Sequence, residues 1–189
     1  MLLSPFPIQP MRTLLRALVT LASEERYLFT PDDLRGLLPE LSDGAFSALL
    51  SRADAEGTLS RVCRGLYVFA PFAPRNGLLL LHAAARLRAS YFNYISLETA
   101  LSDAGVISQV PINRVTLMSS GRSSQIDCGR WGSIEFVHTR QLPGDLMDQL
   151  TYDAPCRLWR ASPQQALRDM RATRRSTDLV DWSVVDELV

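Results

Sequence analysis

The sequence predicts an α+β protein. Two observations predict this class. The first 70 or so residues carry three successive helical patterns followed by the alternating pattern of a β-hairpin, and the remainder mixes strand patterns with helical ones. Of the 189 residues, 47% are hydrophobic and 21% are charged, which is typical of globular proteins. This length allows one domain or two small ones.

The first helical pattern covers residues 11–23. A second, shorter helix is predicted from Thr30, a favourable N-cap directly before Pro31, to about Leu38. In the first helix the apolar residues recur at spacings of three and four, which places them on one face: Leu14, Leu15, Leu18, Val19 and Ala22.

A third helix and a β-hairpin follow. Ser42 offers the N-cap of the helix, which is predicted to end near Gly57. Residues 59–69 then alternate between apolar and polar side chains, with the hairpin turn near Arg64 and Gly65. The buried face of the third helix is predicted to consist of Phe46, Leu49, Leu50 and Ala53.

Three short helices followed by a hairpin is the order of a winged helix-turn-helix. In this fold the last helix enters the DNA major groove and the hairpin touches the flanking backbone. The sequence therefore predicts a winged helix-turn-helix domain over residues 1–72. Pro71, Pro74 and Gly77 predict a linker at residues 70–76.

Residues 73–189 are predicted to form a small mixed α/β domain with an antiparallel sheet. Three strand patterns form the predicted antiparallel set: 114–119, 124–128 and 133–139. A short strand is predicted at 157–160. Helices are predicted at 77–89, 95–104, 142–150, 162–172 and 179–189.

Small and polar residues occupy the side of the third helix opposite its apolar face. Such groups allow close approach to base edges, and hydroxyls and guanidinium groups can bind phosphates or bases. No acidic residue occurs in the hairpin segment 60–69, so its arginines give local positive charge. The predicted DNA-binding residues are Ser42, Gly44, Ser47, Ala48, Ser51, Arg52, Arg61 and Arg64.

A solvated surface is the alternative interpretation of these residues. The formal net charge of the chain is zero, whereas nucleic-acid binding normally leaves a basic footprint. Any DNA-binding surface must therefore come from local clustering of charge.

All 20 basic residues are arginine. The absence of lysine excludes a Walker A loop and a pyridoxal Schiff base, and no matched nucleophile, acid and base is present. We therefore expect no enzyme activity and no cofactor.

No metal site is expected either. The three cysteines are scattered, and neither His82 nor His138 has a partner at metal-ligand spacing. His138 alternates with Ile134 and Phe136, which predicts a core histidine.

Two further segments are interpreted without a functional site. The serine-rich segment 119–124 is interpreted as a plain hairpin connection between two strands, because it lacks the pattern of a phosphate-binding loop. The basic cluster of Arg168, Arg171, Arg174 and Arg175 is interpreted as solvated surface, with a secondary nucleic-acid or partner contact as the alternative.

The longest apolar runs are far shorter than the roughly 20 residues of a membrane span. The first ten residues also make a poor signal peptide. We expect a cytoplasmic protein that does not contact a membrane.

Three stretches resemble the AbiEi family of antitoxins and repressors of type IV toxin-antitoxin systems. They are RVCRGLYV at 61–68, YISLETAL at 94–101 with the following GVI at 105–107, and ASPQQALRD at 161–169. They occur in family order. Gln164 departs from the pattern, since an acidic residue is common there.

The resemblance implies an N-terminal DNA-binding domain that represses its own operon. It also implies an antitoxin-type C-terminal domain that neutralises a nucleotidyltransferase-like toxin without a stable complex. The implied partners are duplex operator DNA and that toxin. Two alternatives stay open, namely a protein-interaction adaptor built on the winged helix and a stand-alone regulator without a toxin.

Overall fold

Helices and strands alternate along the chain, which confirms the α+β class. The computed structural model describes residues 9–75, 77–108 and 113–187. The chain divides into two compact units, residues 1–76 and 77–189. In the described part of the chain, no helix is long and apolar enough to cross a membrane.

Unit 1 contains three helices and a small antiparallel sheet with the strand order β1-β3-β2. The predicted helices and the predicted hairpin are present. Strand β1 was not predicted, because two residues are too few to establish an alternating pattern. The elements are α1 (Pro10–Leu21), β1 (Leu28–Phe29), α2 (Pro31–Arg35), α3 (Asp43–Ala55), β2 (Ser60–Cys63) and β3 (Leu66–Val68).

Local capping explains where α2 begins. The hydroxyl of Thr30 accepts a hydrogen bond from the N–H of Asp33, and the Asp33 carboxylate accepts one from the N–H of Thr30 at 2.7 Å. This reciprocal pair satisfies two donors at the helix start. The helix ends at Arg35 rather than near Leu38, and turns fill the interval before α3.

One hydrophobic cluster holds unit 1 together, and it extends into the predicted linker. Residues 70–72 form a 3-10 helix instead of an open linker, and the ring of Phe72 stacks against Phe69 at 5.8 Å. The buried members are Leu14, Leu18, Phe29, Leu34, Leu38, Phe46, Leu49, Leu50, Ala53, Leu59 and Phe69.

Unit 2 is built on a six-stranded sheet with the order β6-β7-β5-β4-β9-β8. Its strands are β4 (Asn93–Ile95), β5 (Arg114–Ser119), β6 (Ser124–Asp127), β7 (Ser133–His138), β8 (Leu150–Asp153) and β9 (Leu158–Ala161). Its helices are α4 (Leu79–Leu87), α5 (Leu97–Asp103), α6 (Pro163–Ala172) and α7 (Trp182–Glu187).

The sheet is mixed, so the prediction of an antiparallel sheet is confirmed only in part. Strand β7 folds back on β6 as an antiparallel hairpin, but it lies parallel to β5. Strands β4 and β9 are also parallel. Because β7 lies between β5 and β6, segment 119–124 crosses from one strand to a non-neighbour and is not a hairpin connection.

Two strands of unit 2 were not predicted. Residues 93–95 form β4 before α5 begins at Leu97, and β4 overlaps the helix predicted at 95–104 only at Ile95. Residues 150–153 form β8 after a 3-10 helix at Pro143–Gln149, and β8 overlaps the helix predicted at 142–150 only at Leu150. Both strands are only three or four residues long, which is below the length at which an alternating pattern separates a strand from a helix.

Helices cover both faces of this sheet. Thr116 and Phe136 project to opposite faces, because Phe136 pairs with Leu117, the residue after Thr116. The hydroxyl of Thr116 donates to the hydroxyl of Thr99 of α5 at 3.1 Å, whereas the ring centre of Phe136 lies 4.1 Å from the guanidinium of Arg88, which follows α4. Helices α4 and α5 therefore lie on opposite sides of the sheet.

Arg175 does not belong to a solvated basic cluster, so this part of the prediction was wrong. It forms ion pairs with Glu98 at 2.6 Å and with Glu135, and Glu135 also pairs with Arg114. Two arginines and two glutamates therefore balance one another beside the sheet.

Candidate nucleic-acid interface

Helix α3 presents one apolar and one solvent-exposed face. Phe46, Leu49, Leu50 and Ala53 are buried, as predicted. Ser42 caps the helix, because its hydroxyl accepts a hydrogen bond from the N–H of Ala45 at 3.3 Å. The opposite face is thereby fixed toward solvent.

All six predicted contact residues associated with this helix are exposed: Ser42, Gly44, Ser47, Ala48, Ser51 and Arg52. The Ser51 hydroxyl donates to the carbonyl of Ser47 at 3.1 Å and keeps its acceptor lone pairs. A Cβ at Gly44 would meet no atom within 4 Å, so packing does not require glycine there. This face of α3 is therefore open to solvent.

Arg61 and Arg64 are exposed on the hairpin formed by β2 and β3. Arg64 lies in the turn beside Gly65, which has a φ of 81° that favours glycine. The pairing of β2 with β3 shifts between Arg61 and Cys63. This irregularity bends the strand that carries Arg61.

Asp54 connects α3 to the hairpin, and sequence reasoning missed it. Its carboxylate accepts a hydrogen bond from the backbone N–H of Arg61 at 2.8 Å. The contact joins the end of α3 to the start of β2, which sets the position of the hairpin relative to the helix. No sequence signal indicated it, because the donor is a backbone group.

Arg35 was also missed, and it closes the turn before α3. Its guanidinium donates to the carbonyls of Leu38 at 2.9 Å and Leu41 at 2.6 Å, and it lies 5.2 Å from the ring centre of Phe46. It also pairs with Asp43 at 3.3 Å. Arg35 thus fixes the approach of the chain to α3.

The electrostatics of this face are only weakly basic. Arg52, Arg61 and Arg64 contribute three positive charges, while Asp43 and Asp54 of α3 contribute two negative charges. The Asp43 carboxylate is 99% exposed. Such a surface attracts phosphates only where its arginines lie, and steering over long distances is weak.

The two histidines lie in unit 2 and do not form a common site. The Nε2 of His82 donates to the carbonyl of Pro155 at 2.6 Å, and burial lowers the pKa of His82. The prediction of a core position for His138 was wrong, because it lies at the end of β7 and is exposed. Across residues 9–75, 77–108 and 113–187, no three His, Cys, Asp or Glu side chains group as metal ligands do.

Residues 16–70 match the model of a family described as transcriptional regulator, AbiEi antitoxin. The resemblance to the AbiEi family is confirmed over this segment. The AbiEi match covers α3, the hairpin and all eight predicted contact residues. Its description names a regulator and an antitoxin and no catalytic activity.

A solved structure shares the fold of most of the chain. The crystal structure of the RV2827C protein from Mycobacterium tuberculosis superposes with a TM-score of 0.58 at 17% sequence identity. The alignment covers 90% of this chain and 64% of the mycobacterial protein. No curated protein matches the sequence.

Proposed function

We propose that the chain is a winged helix-turn-helix regulator that binds duplex DNA. The observation that carries this proposal is the exposure of all eight predicted contact residues on α3 and the β2–β3 hairpin, within the segment that matches AbiEi regulators. The succession of α1, α2, α3 and a terminal hairpin supports it, since this is the order of winged helix-turn-helix domains.

In the proposed complex α3 lies in the major groove and the hairpin lies on the adjacent backbone. Gly44 and Ala48 allow the helix to approach base edges closely, and Ser47 offers a hydroxyl to a base or phosphate. Arg52, Arg61 and Arg64 bind phosphates. Because the surface carries little net charge, affinity depends on close fit, and non-specific binding is weak.

The bound DNA is proposed to be the operator of the protein's own operon, bound in the cytoplasm. The protein is further proposed to act as the antitoxin of a nucleotidyltransferase-like toxin without forming a stable complex with it. The family description, which names both a regulator and an antitoxin, supports this. The resemblance of segments 94–101 and 161–169 in unit 2 supports it further.

Replacing Arg52, Arg61 and Arg64 together with alanine is expected to weaken binding to the DNA upstream of the gene. The loss of affinity should be similar for all duplex sequences. The slope of log K against log salt concentration, which is negative, should become shallower by about 3. Fluorescence anisotropy of labelled duplexes at several salt concentrations measures both quantities.

The matched control replaces Arg168, Arg171 and Arg174 of unit 2, which are also exposed, and removes the same charge. It should bind as the wild type does. Equal binding by the wild type and the Arg52, Arg61 and Arg64 variant would contradict the proposed interface. Absence of any duplex binding by the wild type would favour a protein-interaction adaptor.

A further inference from the structure

One end of the unit 2 sheet concentrates positive charge. The parallel strands β5 and β7 end there, and segments 88–93, 119–124 and 137–142 meet. These segments contain three arginines and one histidine but no acidic residue, although the whole chain has no net charge. In open α/β sheets, ligands bind outside the carboxyl ends of parallel strands.

The guanidinium of Arg88 is held at this end without a carboxylate. It donates to the hydroxyl of Ser119 at 2.9 Å, the hydroxyl of Ser124 at 2.7 Å and the carbonyl of Arg122 at 2.6 Å. Among the described residues, no acidic side chain forms an ion pair with Arg88. Burial lowers the pKa of Arg88 below its ordinary value, which is the expected result for a cation that lacks an anionic partner.

Tyr91 lies against the same loop with half of its surface exposed. Its exposed fraction is 53%. A Cβ at Gly121 would lie 3.1 Å from Cδ1 of Tyr91 and 2.8 Å from Nη1 of Arg88. The ring therefore rests on the backbone of Gly121, a close approach that a larger residue would disturb.

The loop that carries Arg122 is fixed by the end of β7. Nδ1 of His138 donates to the carbonyl of Gly121 at 2.9 Å, and the N–H of His138 donates to the hydroxyl of Ser123 at 2.9 Å. The hydroxyl of Ser120 accepts a hydrogen bond from the N–H of Phe92. Arg122 projects from this fixed loop, is exposed, and forms no ion pair in the described part of the chain.

We propose that this basic end, formed by Arg88, Tyr91, Arg122 and His138, binds single-stranded nucleic acid. Arg122 and the unneutralised charge of Arg88 attract the phosphates, and the supported ring of Tyr91 stacks on a base. Stacking on aromatic rings beside a positive groove is how proteins bind single strands without sequence preference. A duplex offers phosphates but hides the faces of its bases, so it could not use Tyr91.

Anisotropy of labelled oligo(dT) and oligo(U), each about 12 nucleotides long, tests the site with the full chain at low salt. Both oligonucleotides offer phosphates and unpaired bases. The one that binds more tightly identifies single-stranded DNA or RNA as the natural ligand. Tyr91→Leu is expected to weaken binding about tenfold, since one stacked base is lost. Arg122→Ala, at an exposed position, should reduce the salt slope by about 0.7.

Two matched controls lie elsewhere in unit 2. Tyr152 is 52% exposed on the outer strand β8, and Arg130 lies at the opposite end of the β6–β7 hairpin. Tyr152→Leu and Arg130→Ala should bind as the wild type does. The variant in which Arg52, Arg61 and Arg64 are replaced with alanine should bind single strands as the wild type does. This result would separate the site from the proposed duplex interface.

Three results would overturn the proposal: no binding of either oligonucleotide, equal losses in the control variants, or binding of a duplex of the same length that depends equally on Tyr91. A thermal melt of Tyr91→Leu distinguishes lost binding from lost folding. Arg122→Ala supplies the same test without touching a packed side chain.

Discussion

Replacing Asp169 with leucine is expected to destabilise unit 2 by about 3 kcal/mol or more. The carboxylate is fully buried and accepts hydrogen bonds from Ser96 Oγ at 2.7 Å, Gln165 Nε2 at 2.9 Å and Gln141 Nε2 at 3.0 Å. Leucine has the same branched arrangement of four heavy side-chain atoms but no acceptor, so three donors would lose this partner. Chemical denaturation followed by tryptophan fluorescence measures the change.

Asp178→Leu, at an exposed position, is the control and should change stability little. Asp169→Asn should fall between Asp169→Leu and the wild type, because it keeps one acceptor oxygen. A leucine variant as stable as the wild type would show that the buried charge costs as much as its hydrogen bonds contribute. It would contradict this account of the cluster.

Gly132→Ala is expected to lower the free energy of unfolding by roughly 3 kcal/mol or more, because of both a steric clash and an unfavourable backbone conformation. A Cβ at this position would lie 1.9 Å from the backbone oxygen of Asn113. The φ of Gly132 is 116°, a region that L-residues rarely adopt. The same Asn113 oxygen accepts a hydrogen bond from the N–H of Ser133, so moving it would disturb the start of the β5–β7 pair.

Gly129→Ala is the matched comparison in the same turn. Its φ of 56° lies in the left-handed region, but no atom lies within 4 Å of a built Cβ. Gly129→Ala should therefore lower the free energy of unfolding by about 1 kcal/mol, because only the backbone conformation is unfavourable. Equal melting temperatures for Gly132→Ala and Gly129→Ala would show that the contact with Asn113 relaxes easily.

The helices of unit 1 were predictable because their signals are local. Thr30 with Pro31, and Ser42 with Asp43, are start signals that act within one turn, and the apolar spacing identifies the buried face of α3. The same spacing predicts which α3 residues are exposed, so that part of the candidate site could be found from sequence.

Contacts between distant segments could not be predicted in this way. The parallel pairing of β5 with β7 depends on a crossover that no residue pattern specifies. Arg175 reaches Glu98, 77 positions earlier, so composition alone suggested a solvated arginine. Ser96 lies at the start of α5, yet its hydroxyl donates to Asp169 instead of capping that helix.

The same limit applies to the candidate interface. Arg35 and Asp54 position α3 and the hairpin through backbone carbonyls and a backbone N–H, and such partners leave no mark on side-chain patterns. The sequence thus predicted the residues that face solvent but not those that hold them in place.

Site-specific cross-linking from α3 tests the proposed interface most directly. The three native cysteines are buried, so a cysteine introduced at an exposed position can be labelled selectively with a photoreactive maleimide. Ala48→Cys lies on the outer face of α3, and Thr20→Cys lies on the exposed face of α1. We expect position 48 to cross-link to the upstream duplex and position 20 not to do so. Cross-linking from position 20 alone, or equally from both, would contradict DNA recognition by α3.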